Sequence, residues 1–213
     1  KHFQTAREPS LEIEVNGDLD KPEELNASLH LTANGLRHGD YVCEELEARA
    51  TCAGRLVDLT SLRIRDHLGE LHAGAMYEIG GEAVDFHLHS TMNLPHLASA
   101  ILEDETLHEV VFYEPPEIFA DGRLLLGRSL PARAFVPVEC SGTVRTGRFA
   151  SRGEVVDALG VNFGISPDGY YFRDGLLRHK TGTMGVQARW KKGEGFRYRA
   201  QLQMDPAVFP VPL

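Results

Sequence analysis

In the segment Leu-Asn-Ala-Ser-Leu-His-Leu-Thr-Ala, residues 25–33, apolar and polar residues alternate without a break. Such alternation places apolar side chains on one face of a β-strand and polar side chains on the other. A second alternating segment, Glu-Leu-Glu-Ala-Arg-Ala-Thr-Cys at residues 45–52, follows closely along the chain. Two such segments in succession predict neighbouring antiparallel strands that share one apolar face.

The same alternation recurs outside these two segments, and turn-forming residues separate the runs. One stretch, residues 93–112, instead spaces its apolar residues as a helix does, and Asn93 can cap that helix. We therefore predict a mainly β chain, an antiparallel meander with one or two short helices between its modules. The further strand runs are 11–16, 71–77 and 84–89, and the turn residues are Gly17-Asp18, Asn34-Gly35, Gly80-Gly81, Pro167-Asp168-Gly169 and Gly193-Glu194-Gly195.

The chain resembles itself when each residue is compared with the one 113 positions later. This self-similarity predicts two tandem modules, residues 1–113 and 114–213. The second module ends where its terminal helix should run, so we expect the chain to be a piece of a longer protein. The matched residues are Val42 with Val155, Leu46 with Leu159, Gly69 with Gly182, Tyr77 with Trp190, after a one-residue slip Val84 with Phe196 and Phe86 with Tyr198, and upstream Leu11, Ile13, Val15 and Gly17 with Val136, Val138, Cys140 and Gly142.

Composition and charge exclude several classes of protein. The 213 residues include 22 Lys and Arg against 31 Asp and Glu, a net charge of −9, and no basic cluster that could neutralise phosphates, so no nucleic-acid partner is expected. No apolar run approaches the roughly 20 residues that a membrane-spanning helix needs. Cys43, Cys52 and Cys140 are too few and scattered for a disulfide framework or a zinc site, and we interpret them as small apolar fillers.

Catalytic motifs are scarce in the sequence, which has no G-x-S-x-G, no P-loop and no G-x-G-x-x-G that opens a helix. We therefore expect neither enzymatic activity nor a cofactor. His87 and His89 share one strand face, with His72 on a run nearby, and this spacing leaves a metal site as a weak alternative. Their positions are polar ones, however, and the matching residues of the second module are Arg199 and Gln201, so a solvated surface is the favoured interpretation.

The apolar strand faces outnumber the helices that could cover them, so another surface must bury them. One possibility is a closed β-sandwich core, in which case the protein would be a scaffold or adhesion module that binds protein partners. The other is a curved sheet whose apolar side forms an open groove for lipid or another apolar chain. The alternation alone is compatible with both.

The order of features in each module resembles the AsmA and TamB family of bacterial envelope proteins. A Val15-Asn16-Gly17 or Cys140-Ser141-Gly142 strand comes first, and a strand with Leu46 or Leu159 follows. The hairpin of residues 62–74 or 177–185 comes next, and then a strand ending in Met92-Asn93 or Met204-Asp205 before a helix. The similarity spans most of the chain and contains no catalytic signature.

This resemblance implies a periplasmic segment of an inner-membrane-anchored protein, in which a β-groove shelters lipid for transport between membranes or for outer-membrane assembly. It implies phospholipid or another apolar ligand, envelope proteins as further partners, and a membrane anchor in a part of the parent protein that this chain lacks. Each acyl methylene buried on such a face would gain about 0.8 kcal/mol, so no polar motif is required. The groove-lining residues that the resemblance implies are Ile64, Leu71, Ala73, Val84, Phe86, Leu88, Leu177, Met184, Val186, Phe196, Tyr198 and Ala200.

Overall fold

A computed structural model describes residues 4–5, 7–18, 21, 24–38, 41–92, 110–126, 138–151 and 153–203. Within these ranges the regular structure consists of β-strands, with no α-helix. The strands are β1 (Gln4–Thr5), β2 (Ser10–Asn16), β3 (Asn26–His38), β4 (Tyr41–Ala53), β5 (Leu56–Arg65), β6 (Glu70–Glu78), β7 (Ala83–Ser90), β8 (Val110–Phe112), β9 (Glu117–Leu125), β10 (Val138–Thr146), β11 (Phe149–Ser151), β12 (Glu154–Val156), β13 (Ala158–Ser166), β14 (Gly169–His179), β15 (Gly182–Lys191) and β16 (Gly195–Gln203).

Most of the strands form one large antiparallel sheet, the main sheet, in the order β1-β3-β4-β5-β6-β7-β9-β10-β13-β14-β15-β16. β2 pairs with β3 beside β1, and the sheet does not close on itself. A small sheet of order β12-β11-β8 has its own strand pairing and packs against the main sheet. The predicted mainly β fold, an antiparallel meander of repeated modules, is confirmed, and it takes the form of an open sheet.

The duplication is visible in how the strands pair. The register of β5 with β6 shifts between Leu59 and Leu62, and that of β14 with β15 shifts between Phe172 and Gly175, which are the same positions 113 residues later. β-bulges of this kind bend a strand and increase its twist, so both modules bend at equivalent points. The β6–β7 pairing likewise matches β15–β16 after the expected one-residue slip.

The upstream correspondence predicted from sequence is wrong. β10 pairs with β13 as β3 pairs with β4, which makes Cys140 the counterpart of Ala27 and not of Val15. β9 then takes the place of β2, and β8, whose Phe112 pairs with Phe149, takes the place of β1. The predicted boundary between residues 113 and 114 thus separates β8 from β9, although by register both open the second module.

Two local predictions also change. Residues 110–112, assigned from sequence to the end of a helical stretch, form the strand β8, because their β-branched and aromatic side chains pair with β11 and pack on a small core. The remainder of that stretch, 93–109, and the predicted helix start after residue 203 lie outside the described residues. Asn34-Gly35, expected as a turn, lies inside β3, where Gly35 has a φ of +64°.

Gly35 marks a kink that turns the end of the β3–β4 hairpin towards the apolar side of the sheet. The ladder passes from the pair Asn34–Glu45 to the pair Leu36–Cys43. Cys43 and Leu46 are three residues apart and would occupy opposite faces of a regular strand, yet both belong to one apolar cluster. The kink therefore folds the hairpin tip over one end of the apolar face.

Each module has one small core where this tip meets the main sheet, and the two cores use equivalent positions. The first contains Tyr41, Cys43 and Met92 with Leu36, Leu46, Ile64 and Leu71 packed around them. The second contains Phe149, Val156 and Leu177 with Val110, Phe112, Leu159 and Met184. Most of the buried apolar residues in the described ranges belong to these two cores.

Candidate functional site: the apolar face of the main sheet

Cross-strand pairing defines one continuous apolar face on the main sheet, because residues directly opposite each other in neighbouring strands point to the same side. Ala73 lies opposite both Leu62 and Leu88, and Leu88 lies opposite Ala120 on the next strand. The same comparison across every ladder places all twelve predicted groove-lining residues on this face. They are Ile64, Leu71 and Ala73 on β5 and β6, Val84, Phe86 and Leu88 on β7, Leu177, Met184 and Val186 on β14 and β15, and Phe196, Tyr198 and Ala200 on β16.

The apolar face is covered only in part. Along its interior strands the side chains are mostly half-buried, and the two hairpin tips contribute to this burial at one end of the face. At its two ends the face is open, with Ile13 on β2 60% exposed and Tyr198 on β16 72% exposed. Within the described ranges no second large sheet packs against it. The described residues therefore do not form the closed sandwich core that the sequence left as an alternative.

Aromatic residues concentrate on the apolar face of the last three strands. The Tyr170 ring stacks on that of Trp190 with 5.9 Å between centroids, and it tilts against Phe172 at 5.7 Å. Phe196 and Tyr198 stack at 5.9 Å on the neighbouring strand. Tyr170 and Trp190 also line a recess of about 290 Å³ at the turn ends of β13, β14 and β15. Rings of this kind offer broad apolar contact with few rotatable bonds.

The opposite face of the sheet carries cross-strand ion pairs. Arg63 Nη2 donates to Glu70 Oε2 at 3.0 Å, and the hydrogen bonds from His72 and Arg63 lower the pKa of Glu70. Arg123 holds Asp85 by two hydrogen bonds of 2.7 and 3.2 Å, and it lowers the pKa of that carboxyl group. These groups are well solvated, so we interpret this face as the water-facing side of the sheet.

His72, His87 and His89 lie on this polar face. His72 Nε2 is 3.2 Å from Glu70 Oε1, and His89 Nε2 is 3.4 Å from Glu117 Oε1. The His89 ring also stacks on Phe119 with centroids 4.2 Å apart. No three His, Cys, Asp or Glu side chains in the described part of the chain converge as metal ligands would. The structure thus gives the weak metal alternative at His87 and His89 no support.

The three cysteines are free thiols. Cys43 is buried in the first core, and Cys52 and Cys140 lie on the apolar face opposite Ala27 and Gly122. Burial raises the pKa of the Cys43 and Cys140 thiols, which disfavours the thiolate that a nucleophile or metal ligand requires. Their surroundings are those of small apolar side chains.

Sequence reasoning missed part of the apolar face. Tyr170 and Phe172 belong to it, but Tyr171 between them points to the polar face, so three consecutive aromatic residues hid the alternation. Gly164 on the neighbouring strand lies under the Tyr171 ring, and Arg173 stacks on that ring at 4.3 Å. Val138, Cys140 and Gly142 were assigned to a strand from sequence, but they were not included among the groove-lining residues, although they lie on the apolar face.

No known protein family, curated protein or solved structure matches the chain. In the described ranges, no helix has the length and apolar character that crossing a membrane requires.

Proposed function

We propose that the chain shelters lipid acyl chains or similar apolar chains on the apolar face of the main sheet, without enzymatic activity. The observation that carries this proposal is the continuity of that face. Apolar side chains line it from β2 to β16, and the two small cores cover only its kinked end. Neighbouring strands lie about 4.8 Å apart, so twelve strands in sequence present an apolar strip on the order of 50 Å long.

The binding energy of such a face comes from many weak contacts rather than from a few strong ones. A fully buried methylene gains about 0.8 kcal/mol, but an acyl chain lying on a single sheet buries only about half of its surface, so each methylene gains about 0.4 kcal/mol. Ten methylenes then contribute about 4 kcal/mol, and a phospholipid with both acyl chains on the face gains roughly two to three times as much, so it can remain bound through purification. Weak contact at many equivalent positions suits passage along the strip better than storage at one point.

The similarity to AsmA and TamB proteins supplies the cellular setting of the proposal. In that setting the chain is a periplasmic segment of an inner-membrane-anchored protein, and the strip carries phospholipid towards the outer membrane or assists the assembly of outer-membrane proteins. A strip with no polar selectivity is compatible with several lipid classes. The bulges at equivalent places in the two modules would give both the same bend, as a long groove of repeated units requires.

Lipid extraction from the protein purified without detergent, followed by native mass spectrometry, tests the proposal. We expect co-purified phospholipid, and we expect Phe86→Asp and Phe172→Asp to reduce it several-fold, because each substitution places a carboxylate on the apolar face. Both sites lie away from the end strands of the sheet.

Matched controls carry the same change on the opposite face. Leu176 is 44% exposed on the polar face of β14, the strand that carries Phe172, and Met76 is 49% exposed on the polar face of β6. Leu176→Asp and Met76→Asp should leave the bound lipid unchanged. Equal loss in all four variants, or wild-type protein that is free of lipid and rejects a fluorescent fatty acid, would refute the proposal.

A further inference from the structure

The strand β16 is an open edge of the main sheet. All nine of its residues are exposed, and among the described strands it pairs with β15 alone. It contains no proline, and its apolar side chains Phe196, Tyr198 and Leu202 are 56%, 72% and 47% exposed. Long apolar edge strands of this kind are templates for pairing with another chain.

The duplication indicates what such an edge pairs with. β16 is the counterpart of β7, and the second side of β7 pairs with β9 where the two modules join. β9 is in turn the counterpart of β2, and among the described strands β2 pairs with β3 alone. The two end strands, β16 and β2, are therefore equivalent to β7 and β9, which pair with each other where the two modules join.

Transferring the register of the β7–β9 junction to these ends gives a specific set of pairs. On the apolar face, Tyr198 would meet Val15, Ala200 would meet Ile13 and Leu202 would meet Leu11. On the polar face, Arg199 would lie opposite Glu14. The apolar residues of β2 are 55–60% exposed, so this pairing would cover both open ends of the apolar face at once.

Charge supports the same pairing on a larger scale. Residues 1–90 contain eight Lys and Arg against seventeen Asp and Glu, whereas residues 158–203 contain eight against three. The part of the chain that contains β1 to β7 thus has a net charge of −9, and the part that contains β13 to β16 has a net charge of +5. Opposite charges favour approach of the two different ends and oppose approach of two like ends.

We propose that β16 of one copy of this chain pairs antiparallel with β2 of a second copy, in the register of the β7–β9 junction. The pairing is head-to-tail, so it leaves a free β2 and a free β16 at the ends of the assembly and can continue. It would extend the apolar face without interruption from one copy to the next.

Sedimentation velocity in lipid-free buffer over a range of protein concentrations tests the pairing. We expect the wild-type chain to self-associate and Arg199→Glu to weaken the association about tenfold, since it sets two carboxylates opposite each other. Glu14→Arg should weaken it equally, because it sets two guanidinium groups opposite each other. Arg173→Glu, which makes the same charge change on β14 away from the edge, should have little effect.

Mixing the two weakened variants distinguishes this pairing from others. In an equimolar mixture of Arg199→Glu and Glu14→Arg, every contact between unlike chains joins opposite charges, so association should return to within a few-fold of wild type. A monomeric wild-type chain at its highest soluble concentration would overturn the proposal. So would a mixture that associates no better than either variant alone, or an Arg173→Glu effect as large as that of Arg199→Glu.

Discussion

The two modules share their strand registers and core positions but few of their residues. Of the five equivalent positions where the main sheet and hairpin tip meet, only Leu46 and Leu159 are the same residue type. The other four pairs are Leu36 with Phe149, Cys43 with Val156, Ile64 with Leu177, and Leu71 with Met184. The shared fold therefore depends on apolar side chains at fixed positions rather than on particular residues, as volume-conserving substitution in cores allows.

The modules differ most at the kink. In the first module, β3 and β4 run through it as single strands, with the kink at Gly35. In the second, the equivalent strands break into β10 and β11 and into β13 and β12, and the tip forms a separate small sheet with β8. The same bend is thus reached by one flexible residue or by a break in the ladder. The bend is therefore the common structural requirement, because it closes the small core in both modules.

We expect the largest loss of stability from a substitution in a small core, and a much smaller loss from the same substitution on the open apolar face. Leu177→Ala removes a side chain that is 9% exposed in the second core, and we expect the free energy of unfolding to fall by about 2 to 5 kcal/mol. Leu202→Ala deletes the same atoms at a site 47% exposed on the apolar face, where we expect less than about 1 kcal/mol. Urea unfolding followed by circular dichroism measures both. Equal losses would mean that the apolar face is covered in solution.

A smaller loss of stability is expected at two equivalent turns, where different buried side chains accept the backbone hydrogen bonds. Asp66 is buried at the β5–β6 turn, and its Oδ1 accepts hydrogen bonds from the backbone N–H groups of Leu68 and Gly69 at 2.8 and 2.9 Å. At the equivalent β14–β15 turn, buried His179 uses Nδ1 to accept the N–H of Thr181 at 3.2 Å. Asp66→Ala should cost about 1 to 3 kcal/mol, because it leaves two partly buried backbone donors without their acceptor.

Exchange variants test whether aspartate and histidine can replace each other at these two turns. His179→Asp and Asp66→His keep an acceptor at the turn, so each should be less destabilising than the alanine variant at the same position. The thermal unfolding midpoint gives the ranking. An exchange variant as destabilised as its alanine counterpart would show that each turn depends on the specific residue that it has.

Much of the sheet could be predicted because every second residue is apolar in a strand with one apolar face. The sequence therefore shows which side chains share that face. Alternation alone assigned Val84 to the apolar side of its strand, the family resemblance added Ile64 and Val186, and the strand pairings place all three on one face. The 113-residue offset was readable for the same reason. Whether the face is covered depends on long-range packing, which the alternation does not record.

The predictions from sequence were wrong where a local pattern of residues fits more than one structure. Val15-Asn16-Gly17 resembles Cys140-Ser141-Gly142, but the connection between β9 and β10 is longer than that between β2 and β3, and only pairing shows that β10 replaces β3. Gly35 follows an asparagine, as in many turns, and a single left-handed residue inside a strand has the same signature. Residues 110–112 combine helical spacing with β-forming side chains, and pairing with β11 decides in favour of a strand.

The smallest expected effect concerns the join between modules, where the Arg123 guanidinium on β9 binds the Asp85 carboxylate on β7. The arginine lowers the pKa of Asp85 below its ordinary value of 3.8. The pair therefore stabilises the folded state fully at a pH above 3.8. This stabilisation is lost as the pH falls through the lower pKa that Asp85 has in the folded state. Arg123→Gln should therefore be slightly less stable than wild type at pH 7, and the difference should shrink in strong acid and in high salt. Arg189→Gln serves as the control. It removes the comparable ion pair between Arg189 and Glu194, which lies within one hairpin and not between the two modules. A difference between wild type and Arg123→Gln that grows as the pH falls would contradict this account of the join.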